Sequence, residues 1–94
     1  MATFNITGDG TKVGVALAAA TTAIFFGGVF DGAKVRVEAS PDNTLWGVIA
    51  RSQEISGIGQ GQGAVAQCVL PAGWFVRTVA VEAGALTNVT VVIA

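Results

Sequence analysis

Histidine is absent from this 94-residue chain, and cysteine occurs once, at Cys68. The first absence removes the commonest general base and the commonest metal ligand together. The second excludes an intrachain disulfide and a cysteine-built metal cage. With no imidazole to activate it, Cys68 reads as a small buried hydrophobe rather than a nucleophile. Charge is scarce as well: 12% of residues are charged and 52% hydrophobic, where an average protein has roughly 25% charged. The five basic residues stand singly against six acidic ones, so no basic stripe exists to follow a phosphate backbone, and no nucleic-acid partner is expected. So few charges leave a lone monomer short of solvated side chains. Burial shared between copies is the simplest remedy, and a homo-oligomer is expected.

The remaining polar residues do not assemble a chemistry. Ser40, Ser52 and Ser56 have no histidine partner, which excludes a serine triad. The carboxylates are Asp9, Asp31, Glu38, Asp42, Glu54 and Glu82. None are spaced like a calcium loop, and those that fall in turns suit local hydrogen bonding. No enzymatic activity, metal, cofactor or small-molecule substrate is expected.

Charge is missing altogether from Val13 to Phe30, a run long enough to reach the lower limit for a membrane-spanning helix. Gly14, Thr21, Thr22, Gly27 and Gly28 interrupt it, Val13, Val15 and Leu17 alternate, and no Lys/Arg cluster flanks it. A pair of buried strands is expected instead, with no membrane partner. The run starts late and lacks a basic leader, so no signal peptide is expected.

What the chain does have is strand periodicity cut by turn residues. Phe4 and Ile6 share one face of a first strand that Gly8-Asp9-Gly10 ends. Val13, Val15 and Leu17 mark a second. Ala23 to Phe26 is a third, broken by Gly27-Gly28. Asp31-Gly32 is a tight turn into the clearest alternation of all, with Val35, Val37 and Ala39 inward and Lys34, Arg36 and Glu38 outward. Ser40-Pro41-Asp42-Asn43 then reverses the chain into a return strand over Leu45 to Arg51. Ala64 to Leu70 and Trp74 to Glu82 follow, the latter with Phe75, Val79 and Val81 on one parity with Arg77, which is expected to pair with a carboxylate or a loop carbonyl. Val89, Val91 and Ile93 face inward on the last strand, and Val92 on its other side is expected to be covered by another chain. About eight short strands at roughly ten-residue spacing predict a single all-β domain over residues 1–94. The expected form is an antiparallel β-sandwich or barrel, Ig-like or jelly-roll-like.

Glu54 to Gly63 carries glycines at 57, 59, 61 and 63. No helix pattern and no Gly-Lys-Ser/Thr follows, so a phosphate-binding loop is not expected. A surface loop or an arm reaching a neighbour is. Its Ile55, Ile58, Gly59 and Gly61, with Phe25 and Phe26 of the apolar N-terminal third, are candidate protein-interface residues. Trp46 and Trp74 are candidates for stacking on a glycan, against the commoner role of large aromatics in filling a core or an interface.

One pattern reaches beyond architecture. Phe30, Gly32 and Ala33 form a Phe-x-Gly-Ala turn, Val35 and Val37 a Val-x-Val strand, and Ser40-Pro41-Asp42 precedes Trp46. Later Pro71-Ala72-Gly73 leads to Phe75 and Arg77. This order and spacing, covering about half the chain, resembles a group of small virion proteins of tailed bacteriophages. The resemblance implies an all-β structural protein on a phage particle: a capsid decoration or cement protein, or a head–tail or fibre component. It further implies contacts with itself and with a major capsid or other virion protein, after assembly in the host cytoplasm. The alternative is a carbohydrate-binding β-sandwich module for host attachment.

Overall fold

A computed structural model describes residues 2–52 and 64–94. Among the described residues nine strands follow one another: β1 (Ala2–Ile6), β2 (Gly10–Thr11), β3 (Val15–Ala16), β4 (Thr21–Val29), β5 (Lys34–Ser40), β6 (Gly47–Arg51), β7 (Ala64–Leu70), β8 (Phe75–Val81) and β9 (Asn88–Ile93). They build two antiparallel sheets, one of four strands in the order β1-β9-β4-β7 and one of five in the order β2-β8-β5-β6, with β3 also paired to β8. β2 and β3 act as one interrupted strand along the same side of β8, through Gly10↔Ala80, Thr11↔Val79, Val15↔Val76 and Ala16↔Phe75. The eight strand runs of the sequence are thus eight passes of the chain in an all-β sandwich. The apolar run from Val13 to Phe30 forms β3 and β4, and no described helix is long and apolar enough to cross a membrane.

The alternation of the sequence becomes the core. Phe4 and Ile6 of β1, Ile24 and Phe26 of β4, Val35, Val37 and Ala39 of β5, and Val89, Val91 and Ile93 of β9 are all buried between the sheets. Two strands depart from the expected pattern. On β8 the inward residues are Val76, Thr78 and Ala80, because register places Thr78 opposite Val37 and Ala80 opposite Val35. Phe75, Arg77, Val79 and Val81 therefore face outward with Arg36 and Glu38. Val13 ahead of β3 is 84% exposed and Val15 within it is exposed, so β3 is not the buried strand expected, whereas Leu17 just beyond it is buried.

Gly27 and Gly28 do not break β4, which continues to Val29 with β9 alongside. The Phe25 ring lies over Gly27, where an added Cβ would come within 2.7 Å of the ring. Gly28 has φ +109, and a Cβ there would run into the Asn88 carbonyl oxygen. The chain then turns at Phe30–Ala33, with the Ala33 N–H donating to the Phe30 carbonyl at 2.9 Å and φ of 47 at Asp31 and 85 at Gly32. These are the angles of a type I′ turn, and Gly32 suits its second central position. The turn carries the chain from one sheet to the other, because β4 belongs to the four-stranded sheet and β5 to the five-stranded one. β5 and β6 do form the expected hairpin, although β6 starts at Gly47 and leaves Trp46 in the loop.

Candidate functional site

The two outer faces of the sandwich differ in kind. On the five-stranded sheet, Glu38 of β5 stands directly opposite Arg77 of β8. The Arg77 Nε donates to Glu38 Oε1 at 2.7 Å, and the Arg36 Nε donates to Glu38 Oε2 at 2.8 Å. The Arg77 guanidinium also lies over the Trp46 ring, 4.0 Å from its centroid. Under this cover Glu38 is only 6% exposed despite its outward position. Burial pushes its carboxyl pKa up, but the hydrogen bonds from Arg36 and Arg77 and their positive charge outweigh it and hold the group below the ordinary carboxylate value.

Trp46 is positioned by the loop before it. The Asp42 carboxylate accepts hydrogen bonds from the Leu45 and Thr44 backbone N–H groups and from the Ser40 hydroxyl, which hold its pKa below the ordinary aspartate value. The loop lays the indole against Gly14, where a Cβ would stand 2.9 Å from Cη2 and 3.1 Å from Cζ2. One face of Trp46 is thus taken by Arg77 and its outer edge by Gly14. Trp74 is half-buried against the core, and its carbonyl accepts the Leu17 N–H at 2.8 Å. Both indoles take packing positions rather than forming a shared sugar platform.

The other described carboxylates are engaged within the chain as well. Asp9 Oδ1 accepts from the Ala83 N–H at 2.7 Å, Asp31 Oδ2 accepts from the Leu86 N–H at 2.8 Å, and Glu82 pairs with Lys34 at 3.1 Å. No group of three His, Cys, Asp or Glu side chains among the described residues could hold a metal. A hollow of about 240 Å³ lies along Ile6–Lys12, over a single loop whose carboxylate is already bonded to Ala83. Cys68, on β7, is a free thiol packed partly against the core.

Among the described residues, the outer face of the four-stranded sheet carries no charge. β1, β4, β7 and β9 contain no Asp, Glu, Lys or Arg. Cross-strand register lines up Thr3, Val92, Phe25 and Val65 as one row across all four strands, and Asn5, Thr90 and Gly27 as the next. Asn5 also donates its side-chain amide to the Asn88 side chain at 2.9 Å. Phe25 is 40% exposed, Val29 53%, Val65 60% and Val69 78%. Of the two candidate phenylalanines, then, only Phe25 presents its ring on a surface. Phe26 is fully buried, one residue on and on the opposite side of the strand. The candidates Ile55, Ile58, Gly59 and Gly61 lie outside the described residues.

Arg77 finds the expected carboxylate in Glu38, 39 residues away, but the stacking of its guanidinium on Trp46 had no signal in the sequence. The charge-free face was visible only as four separate uncharged segments. No protein-family model matches the chain, and neither a curated protein nor a solved structure is detectably similar to it.

Proposed function

We propose that this chain is a non-enzymatic virion structural protein of a tailed bacteriophage, a capsid decoration or cement protein that stabilises the particle through repeated protein–protein contacts. The observation that carries the reading is the use of its polar groups. Each described carboxylate is bonded to a cation or a backbone N–H that holds the fold, while apolar strand residues such as Phe25, Val29 and Val65 remain on the outside. Such a surface suits contact rather than reaction.

The strand order supports the same reading. With β2 and β3 counted as one interrupted strand, the sheets run first-eighth-third-sixth and second-seventh-fourth-fifth. This order fits the expected jelly roll, an eight-stranded double Greek key used by viral capsid and lectin domains. Fold analogy alone assigns no activity, and here it adds weight to the resemblance carried by Phe30–Trp46 and Pro71–Arg77. On a capsid, weak single contacts repeated by symmetry become effective through avidity. The protein then belongs to the virion, assembled there from the host cytoplasm.

Co-sedimentation with heads purified from the encoding phage tests this. Saturable binding at a fixed ratio to the major capsid protein is expected. A protein that stays in the supernatant at all concentrations would overturn the proposal.

A further inference from the structure

We infer that the charge-free outer face of the four-stranded sheet, on its β4–β7 side, is the docking surface for a second copy of this chain. The inference rests on the reading of the protein as one that works by assembly, and it names the surface and the partner.

Charge distribution selects the face. Lys34, Arg36, Glu38, Arg51 and Arg77 all lie on β5, β6 and β8, and the remaining described charges lie in the connections. In a two-fold contact a surface meets its own copy, and burying the ion-paired side chains of the five-stranded sheet carries a desolvation cost that a neutral face avoids. The neutrality also disfavours other occupants. Nothing on this face neutralises a phosphate backbone, and no Trp or Tyr stands there to stack on a sugar.

Edge protection selects the side. Natural sheets guard their edges with charge, proline, bulges or short strands. In the five-stranded sheet, β6 carries Arg51 and a register shift against β5, and β2 and β3 are two residues each. In the four-stranded sheet, β1 is five residues long and turns Thr3 and Asn5 outward. β7 has seven residues, Ala-Val-Ala-Gln-Cys-Val-Leu, with neither charge nor proline, and its register shift against β4 is confined to the Leu70 end, leaving Ala64 to Gln67 in regular pairing. Among the described residues only β4 pairs with it. Val65 and Val69 on β7 and Phe25 and Val29 on the adjacent β4 are the apolar side chains that such a partner would cover.

Size-exclusion chromatography with light scattering on the full chain, over a hundredfold concentration range, tests the inference. Wild type is expected to associate. Val65→Lys, which substitutes an exposed strand position, is expected to remain folded by circular dichroism and to raise the dissociation midpoint at least tenfold. Leu86→Lys, at an exposed position in the β8–β9 turn, is expected to associate like wild type. Should Val65→Lys fail to fold, Phe25→Thr carries the same expectation, threonine being a good strand former. A wild type that is monomeric throughout, or a folded Val65→Lys or Phe25→Thr protein that associates like wild type, overturns the inference. An oligomer insensitive to both substitutions that still binds phage heads overturns this inference alone. Association lost in Val65→Lys, by a protein that never binds heads, overturns the functional reading alone.

Discussion

Glu38 stands on the solvent side of β5 and is nevertheless covered, with two arginines bonded to it and the Trp46 indole stacked on one of them. Its lowered pKa makes the cluster sensitive to acid. A carboxylate with a depressed folded pKa contributes stability that is fully present above the unfolded value, about 4.3 for glutamate, and lost as pH falls through the lower folded value. Glu38→Gln removes the charge and keeps the shape. It is expected to lower stability by about 1–2 kcal/mol at neutral pH, given the partial exposure of both arginines, and to flatten the loss below pH 4. Urea unfolding at several pH values checks both. Thr78 presents the opposite case: its hydroxyl points into the core with no hydrogen-bond partner among the described residues. Thr78→Val replaces that hydroxyl with a methyl and is expected to stabilise the protein by about 1 kcal/mol, read from the same unfolding curves.

At the scale of the element, most strands with a clear two-residue alternation were legible, and β4 was legible only over Ala23 to Phe26. β1, β5 and β9 bury the faces that their sequences propose, Phe4 and Ile6, Val35 and Val37, Val89 and Val91. β8 does not, because its more apolar parity of Phe75, Val79 and Val81 is turned outward by register with β5, which must bury Val35 and Val37. The Gly27-Gly28 pair reads as a break and is instead a close approach: the Phe25 ring lies over one glycine and the β9 backbone crowds the other. Gly28→Ala accordingly forces a side chain into positive φ against the Asn88 carbonyl, and is expected to cost about 2–3 kcal/mol. Thermal unfolding of that variant measures it, and an unchanged midpoint would mean that β9 does not pass so close to Gly28.

Across the whole molecule, the sequence could show that charge is scarce but not that it is segregated. β1 pairs with β9 from the opposite end of the chain, and β4 takes β7 and β9 as neighbours, so the four uncharged segments meet only through long-range pairing. Local periodicity carries no information about such pairing. The hairpin from Phe30 to Trp46, the best strand signal in the chain, contributes the engaged, charged sheet. The segregated neutral sheet supplies the candidate contact surface, consistent with a protein that acts through a face rather than a site. The proposed place of that face on a phage particle is tested most directly by electron cryo-microscopy of virions from a phage that carries this chain. Density for this small β-sandwich is expected at symmetry-related positions on the capsid exterior, with copies in contact with one another and with the major capsid protein. A map of intact particles with the protein present in the infected cell but no such density anywhere on the virion would contradict that placement.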